Sequence, residues 1–272
     1  MDTMAYIPIV TSEYVEVNIN TNSERETNMS ASTLESPFSQ WQKADFALQH
    51  GVNRILLYGS PGTGKTYYSM NYHTNDKPAF RLICTQDMTE AKVTGTFLPT
   101  TNEQGHLVTE FHEGPAVKAW RTGGRLVIDE INRASADVES LIMAFIDTST
   151  SSSWQHPVTG EIVKPHKDFS VIATMNGLPE DLPSAVQDRL VVQLDISEPH
   201  PDAINALPEY LRDIAFSMVS RVGDDRYSLR NFVEFHTAYT SSGDLEKSAL
   251  VCLPRIAEAL VDAVSIKDQE QQ

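Results

Sequence analysis

The amino-acid sequence predicts an α/β fold in which a five-stranded parallel sheet is followed by a smaller helical lid. Two observations carry this prediction. Beyond Pro199 strand signals fade and apolar residues recur at helical spacing. Before it, five short apolar runs with strand character alternate with helical or loop segments: Arg54 to Tyr58, Ala79 to Thr85, Arg125 to Asp129, Phe169 to Thr174 and Val191 to Ile196. Such alternation is typical of a parallel sheet covered on both faces, with ligands at the carboxyl ends of its strands.

The chain divides into three predicted segments. Residues 1–40 are rich in Ser, Thr and Asn and carry six acidic residues against one basic residue, Arg25. Because such a segment has little apolar surface to bury, we expect a largely flexible arm, although Tyr14 to Val17 alternates like a short strand. The α/β core is predicted over residues 41–197 and the helical lid over residues 198–272.

A short helix and two hairpins are predicted to accompany the sheet within the core. Hairpins are indicated at residues 96–111 and 153–165, where turn-forming residues separate short extended runs. In the lid, Ser228 is placed to cap a helix. The core helix ends at Gly51, and its apolar residues are Trp41, Ala44, Phe46, Ala47 and Leu48.

Charge and composition exclude several classes of protein. The net charge of −16 argues against broad attraction to nucleic-acid phosphates or anionic membranes. No apolar run reaches the roughly 18 residues that a membrane span needs. The stretch from Met1 to Val10 lacks the basic residues of a secretory signal, so we expect a cytoplasmic protein. Neither Cys84 nor Cys252 has the spacing of a metal site or redox pair, and we expect both to be structural.

A phosphate-binding loop is indicated directly after the first predicted strand. Residues 59–66 read Gly59, Ser60, Pro61, Gly62, Thr63, Gly64, Lys65 and Thr66, which fits the pattern G-x-x-x-x-G-K-[ST]. Glycines let backbone N–H groups turn toward phosphate oxygens at a helix N-terminus. Lys65 is expected to neutralise the β- and γ-phosphates, and the Thr66 hydroxyl to ligate Mg²⁺. An ordinary glycine-rich turn is the structural alternative.

Two adjacent carboxylates end the third predicted strand. The run Arg125 to Ile128 leads directly into Asp129 and Glu130. A buried strand that ends in two carboxylates is costly unless a cation lies there, and Mg²⁺ is that cation. Asp129 is expected to hold the metal, and Glu130 to orient and deprotonate the attacking water. Without the phosphate loop, the same pair would indicate a solvated strand end.

An amide ends the fourth predicted strand. Asn176 follows the apolar run that begins at Val171 and precedes Gly177. An amide donates and accepts at once, so Asn176 is a candidate to contact both the γ-phosphate and the attacking water. A turn-forming role before Gly177 is the alternative.

Together these motifs resemble the AAA+ ATPases of the MoxR and dynein-related, helix-2-insert branch, over most of the chain from about Trp41. The pairs Gly95-Thr96 and Gly114-Pro115 resemble the helix-2 insert of that branch, and the second hairpin resembles its pre-sensor insert. The stretches that carry the resemblance are Asp129-Glu130-Ile131-Asn132-Arg133-Ala134, Ala173-Thr174-Met175-Asn176 and Ala185-Val186-Gln187-Asp188-Arg189-Leu190. Leu190 departs from the Phe usual in the branch, and we expect only a change in packing.

The resemblance implies a Mg²⁺-dependent ATPase that forms a ring, often of six identical subunits, and remodels a protein client. A client with a von Willebrand A-type domain is also implied. By position, Asn176 matches sensor 1, Arg189 the arginine finger that reaches a neighbour's γ-phosphate, and Arg230 sensor 2 on the lid. Arg133 is a second candidate for a residue that acts across the subunit interface. For each arginine, a surface salt bridge is the alternative.

Other functions remain open at this point. A nucleic-acid motor subunit resembling the McrB restriction GTPases would share the run from Asp129 to Arg133, although the acidic charge and the spacing up to Arg189 favour the first interpretation. A nucleotide-binding switch without turnover is a third possibility, against which the intact Glu130 weighs. No base-binding motif distinguishes ATP from GTP. Phe97, Phe111 and Trp154 could grip a client, but packing within the hairpins is favoured for Phe97 and Phe111.

Overall fold

The computed structural model describes residues 5–8, 14–17, 38–147, 152–221, 223 and 226–270, without side chains for 5–8, 14–17 and 265–270. Contacts divide the chain into two units, Met1–Pro37 and Phe38–Gln272. In the first, strands β1 (Ala5–Pro8) and β2 (Tyr14–Val17) form an antiparallel pair, so the short strand predicted at Tyr14 is present. Most of the predicted arm lies outside the described residues, and its flexibility stays a prediction.

The second unit begins with an α/β core in which strands and helices alternate. Its elements are α1 (Gln40–Gln49), β3 (Arg54–Tyr58), α2 (Lys65–Asn71), β4 (Ala79–Ile83), α3 (Glu90–Thr94), β5 (Gly95–Thr101), β6 (Leu107–Glu113), α4 (Pro115–Thr122), β7 (Arg125–Asp129), α5 (Ala136–Ile146), β8 (Trp154–Gln155), β9 (Ile162–Val163), β10 (Ser170–Thr174), α6 (Ser184–Arg189) and β11 (Val192–Asp195).

The central sheet has five parallel strands in the order β11-β3-β10-β7-β4, so the predicted fold class is confirmed. The register pairs Leu57 with Thr174 and Ile83 with Asp129, which brings the strand ends to one edge. Strand β4 ends two residues earlier than predicted. Beyond it, the Cys84 backbone N–H still donates to the Asp129 carbonyl at 2.9 Å, so the chain remains beside β7.

Both faces of the sheet are buried, as its nearly continuous apolar strands require. Successive side chains of a strand point to opposite faces, so each strand supplies two separate clusters. One cluster joins Leu56, Leu126 and Ile128 to Trp120 and Phe145 of the covering helices. Ile55, Leu57 and Ile172 pack on the other face with Trp41 and Tyr68. The strands are thereby fixed from both sides, which positions the residues at their carboxyl ends.

Helix α1 covers the second face, with one departure from its predicted apolar side. Ser39 and Gln42 form a reciprocal capping box at its start, and Trp41 and Ala44 are buried. Phe46 was predicted to be part of the apolar face, but this is wrong. Its ring is exposed and stacks on His50, with 4.1 Å between ring centroids. Phe46 lies two residues beyond Ala44, about 200° around the helix, so it faces solvent.

Both predicted hairpins are present. Strands β5 and β6 pair antiparallel, and the Asn102 side chain accepts hydrogen bonds from the backbone of the turn. Strands β8 and β9 form a shorter pair. The two hairpins meet through their aromatic rings, because Phe111 lies 5.2 Å from Phe97 and 6.1 Å from Trp154 between ring centroids. Phe111 therefore packs as predicted, whereas half of Phe97 remains exposed.

A helical lid follows the core and has a hydrophobic cluster of its own, centred on Leu211, Phe232 and Phe235. Its elements are α7 (Pro201–Asn205), α8 (Glu209–Val219), α9 (Leu229–Ser242), α10 (Leu245–Cys252) and α11 (Ala257–Glu270). Of the two cysteines, Cys84 is buried and Cys252 is partly buried. Within the described part of the chain, no helix has the length and apolar character needed to cross a membrane.

Candidate functional site

The loop between β3 and α2 has the open, glycine-dependent shape that a phosphate-binding loop needs. Gly59, Gly62 and Gly64 have φ angles of 109°, 75° and 105°, a region that other residues rarely adopt. A Cβ on Gly59 would lie 2.7 Å from Asp195 Oδ1, and one on Gly62 would lie 2.4 Å from the Ser228 Cβ. The glycines are therefore required both by backbone conformation and by the close approach of neighbouring segments.

Lys65 is held inside this loop. Its Nζ donates to the carbonyl oxygens of Gly59 at 3.0 Å and Ser60 at 2.7 Å, and to Asn176 Oδ1 at 3.3 Å. Only 7% of the residue is exposed. Burial lowers the pKa of Lys65 to about 8, although Glu130 and other carboxylates favour its charged form. An anion arriving in the loop would further favour the charged form of this ammonium group.

Asp129, at the end of β7, is the most densely hydrogen-bonded carboxylate of the site. Its Oδ1 accepts from the Thr66 hydroxyl at 2.9 Å and from the Thr174 hydroxyl, and its Oδ2 accepts from Arg81 Nε at 3.1 Å. Burial alone would raise its pKa, but the hydrogen bonds from Thr174, Arg81 and Thr66 outweigh it and hold the pKa of Asp129 below its ordinary value. These hydrogen bonds therefore favour the ionised form of the carboxylate.

Glu130 adopts an unusual backbone conformation, with φ 57° and ψ 48°. A residue other than glycine in this left-handed region costs free energy, and such residues often occur at functional sites. Its Oε1 accepts from Asn176 Nδ2 at 2.7 Å. Its Oε2 is buried and has no hydrogen-bond donor among the described residues; Arg133 Nε, at 3.5 Å, forms an ion pair without hydrogen-bond geometry. One oxygen is thus held by Asn176, and the other faces only the guanidinium group of Arg133 among the described residues.

Asn176 links Lys65 of the loop to Glu130, which follows strand β7. Its Oδ1 accepts from Lys65 and its Nδ2 donates to Glu130, so the amide uses both of its functions. The backbone carbonyl of Asn176 accepts from Asn132 Nδ2 at 3.1 Å. A turn-forming role alone would not require these side-chain contacts.

The lid closes one side of the site. The Leu229 N–H donates to the Gly62 carbonyl at 3.3 Å, and Asn231 accepts from the Ser228 backbone N–H and hydroxyl, which caps α9. Helix α9 thereby brings Arg230 to a cavity of about 410 Å³. Of the predicted site residues, those that line the cavity are Pro61, Gly62, Gly64, Lys65, Thr66, Asp129, Glu130, Asn176 and Arg230.

The remaining predicted residues lie outside the cavity. Gly59 and Ser60 contribute their carbonyls to Lys65, and the Thr63 side chain is buried with its hydroxyl 3.3 Å from the Ser60 carbonyl. Arg189, at the end of α6, forms an ion pair with Asp147 at 3.0 Å. The cavity of this chain is therefore lined by Arg230 but not by Arg189.

Sequence reasoning missed Arg81 and Thr174, the two side chains that complete the surroundings of Asp129. Thr174 is the last residue of β10, and the pairing of Ala173 with Ile128 places it beside Asp129. Arg81 interrupts an otherwise apolar strand, β4, on the edge of the sheet. A charged residue inside a predicted strand and a hydroxyl at a strand end were the available signals, but strand order was needed to bring them together.

Comparison with known proteins identifies the family. A profile of the AAA domain, dynein-related subfamily, matches residues 54–190, half of the chain. The chain belongs to this family. The matched region starts at β3 and ends directly after α6, and it therefore covers the phosphate loop and the ends of strands β7 and β10. Its α/β core is thus an AAA ATPase domain, and the lid residue Arg230 lies beyond the matched region.

Relatives of this AAA protein include several uncharacterized bacterial proteins. Uncharacterized proteins of Staphylococcus epidermidis and Staphylococcus aureus are 34% and 33% identical over 142 residues, 51% of this chain and 53% of theirs. One from Staphylococcus saprophyticus is 31% identical over 178 residues, 63% of this chain and 67% of its own. The matches thus span about half the length of most of these relatives. A solved structure of a candidate ATPase from Cytophaga hutchinsonii aligns at a TM-score of 0.43 and 18% identity, covering 80% of this chain and 66% of that chain.

Proposed function

We propose that this chain is a Mg²⁺-dependent ATP hydrolase of the MoxR type, which acts as a ring-shaped homo-oligomer, with six subunits as the expected number, to remodel a protein client. The Glu130 carboxylate is the observation that carries the proposal. Asn176 holds one of its oxygens, while the other is buried without a hydrogen-bond donor among the described residues. A carboxylate held in this way, beside Lys65 and Asp129, is suited to take a proton from an attacking water.

The residues present fit a nucleoside triphosphate. The Lys65 ammonium is buried against backbone carbonyls, which phosphate oxygens would replace as stronger, charged acceptors. Gly62 and Gly64 keep the loop free of side chains on the cavity side. Tyr67 and Val233 also line the cavity and offer apolar surface to a base. The cavity of about 410 Å³ is in the range usual for small-molecule sites.

The side-chain oxygens of Thr66 and Asp129 fit Mg²⁺ as ligands. The distance between Thr66 Oγ1 and Asp129 Oδ1 is 2.9 Å. These two residues would hold the ion. Magnesium sites of this kind use one or two carboxylates together with phosphates and water, so a single aspartate suffices. When bound, the metal would neutralise negative charge on the phosphates.

Four residues of the chain would have separate roles in hydrolysis. Glu130 Oε2 would accept a proton from the water, and Asn176 would keep Glu130 in place while it contacts Lys65. Lys65 would bind the β- and γ-phosphates, and Arg230 would contact the γ-phosphate from the lid. Lys65, Asn176 and Glu130 are held together by hydrogen bonds between their side chains, which lowers the cost of organising the site.

The ring and the client account for features that a monomeric hydrolase does not use. Arg189 does not line the cavity of its own chain and is therefore free of any role there, but it would have to leave its ion pair with Asp147 to reach a neighbour's γ-phosphate. The hairpins expose apolar side chains at their surface, among them Leu107, which is 77% exposed, and Val158. Such groups are suited to transient contact with a protein, including one with a von Willebrand A-type domain.

The proposal is tested by capturing the client on a Glu130→Gln variant that binds ATP without releasing it. With ATP, this variant should retain one or a few specific proteins from native cells, and wild-type protein should release them as it hydrolyses ATP. Matched controls are the Lys65→Ala variant with ATP and the Glu130→Gln variant with ADP. Adding Leu107→Ser to the trap should reduce the capture. Equal capture by the controls, or capture only of nuclease-sensitive nucleic acid, would contradict a protein-remodelling role.

A further inference from the structure

Arg81 reaches the metal-binding carboxylate from the edge of the sheet. It lies on β4 opposite Val127 of β7, two residues before the pair Ile83 and Asp129. Residues two apart in a strand share a face, so the Arg81 side chain can run along the sheet toward Asp129. Its Nε donates to Asp129 Oδ2 at 3.1 Å, and its Nη2 donates to the same oxygen. Both of these guanidinium nitrogens thus converge on one carboxylate oxygen.

The two oxygens of Asp129 are occupied by different kinds of donor. Oδ1 accepts from the hydroxyls of Thr66 and Thr174, and Oδ2 accepts from Arg81. The Asp129 side chain is only 7% exposed, whereas that of Arg81 is 44% exposed. Arg81 has no other hydrogen bond within the described residues. The guanidinium group can therefore rotate into solvent without breaking any further hydrogen bond to the described residues.

A guanidinium group and a divalent cation at the same carboxylate repel each other. Asp129 carries one negative charge, and the positive charges of Arg81 and Mg²⁺ would lie within a few ångströms in a site that is partly shielded from water. Without a cation, however, the buried carboxylate would lack a counter-charge, which is costly. Arg81 supplies that counter-charge in the nucleotide-free protein.

We propose that Arg81 is a positioning residue that occupies Asp129 before nucleotide binds and leaves it when Mg²⁺ and nucleotide arrive. The inference rests on the proposed Mg²⁺-ATP site. Metal loading is then an exchange between two cations, and Arg81 opposes binding of the metal until phosphate oxygens supply further ligands. Removing Arg81 has opposite effects on the two states: it destabilises the metal-free protein and strengthens metal binding.

The exchange is tested with the variant Arg81→Gln, using Mn²⁺ as the probe. Electron paramagnetic resonance measures free Mn²⁺ in the presence of a saturating, non-hydrolysable ATP analogue. We expect Arg81→Gln to bind Mn²⁺ about three- to tenfold more tightly than wild type, because a partly exposed positive charge has been removed. Its metal-free, nucleotide-free form should melt about 3 °C or more below wild type, because Asp129 loses its partner.

Two further variants act as controls. Lys118→Gln makes the same change in net charge at an exposed position on α4, away from the site, and should leave Mn²⁺ affinity unchanged. Arg81→Lys keeps the charge and should bind Mn²⁺ as wild type does. Unchanged or weaker Mn²⁺ binding by Arg81→Gln would overturn the exchange, and loss of analogue affinity in that variant would assign Arg81 to the phosphates instead. If wild type itself bound neither Mn²⁺ nor the analogue, the proposed function would fail as well.

Discussion

The variant Lys65→Ala is expected to lose measurable ATP binding. Lys65 is the only basic residue between Gly59 and Thr66, and its ammonium group is buried among carbonyls that face the candidate phosphate site. Without it, the phosphates would lose the ammonium group that is held inside the loop. Isothermal titration calorimetry with ATP and Mg²⁺ measures the loss, and thermal unfolding verifies that the variant is folded.

The matched control for this variant is Lys118→Ala. Lys118 is also a lysine, but it is exposed on α4 and does not line the cavity. The Lys118→Ala variant should bind ATP as wild type does. If Lys65→Ala still bound ATP with micromolar affinity, residues 59–66 could not be assigned to phosphate binding.

Replacing Arg189 with alanine is expected to abolish most turnover while leaving nucleotide affinity nearly unchanged. Arg189 pairs with Asp147 and does not line the cavity of its own subunit. An arginine that reaches a neighbour's γ-phosphate stabilises charge that develops during transfer, and such residues contribute about 10³- to 10⁵-fold to turnover. Phosphate release and ATP titrations on Arg189→Ala should therefore separate chemistry from binding.

Mixing subunits tests whether Arg189 acts across an interface. Arg189→Ala combined with Lys65→Ala should regain part of the activity, because an intact phosphate loop can then face an intact arginine. Arg133→Ala provides the comparison. Arg133 forms an ion pair with Glu130, the proposed base of its own site, so loss of Arg133 should affect that same site and should not be rescued in this way. No gain from Arg189→Ala in mixed rings verified by native mass spectrometry would exclude a role in trans.

The sequence was sufficient to predict the sheet because each central strand is an uninterrupted apolar run. Such runs, Arg125 to Asp129 among them, require burial on both faces and leave little choice of fold. The phosphate loop was equally predictable, since Lys65 and its glycines lie within one continuous segment. Phe46 was placed wrongly because an apolar residue on a short helix need not face the core.

What the sequence did not reveal are contacts made between strands. Arg81 lies 48 residues before Asp129, and only the order of β4 beside β7 brings them together. The same holds for Thr174, which donates to Asp129 from the neighbouring strand β10. The pattern of apolar residues along one strand predicts whether that strand is buried, but it does not predict which strand will lie beside it. The surroundings of the Asp129 carboxylate therefore emerge only from the fold.

The most direct test of the account measures ATP turnover and ATP affinity of a single variant, Glu130→Gln. This change keeps the size of the side chain and the acceptor for Asn176 but removes the base. Steady-state phosphate release should fall by about 10²- to 10⁴-fold, the range for loss of a positioned base, while ATP remains bound as tightly as in wild type. Turnover within about threefold of wild type would contradict the central claim that Glu130 activates water at this site.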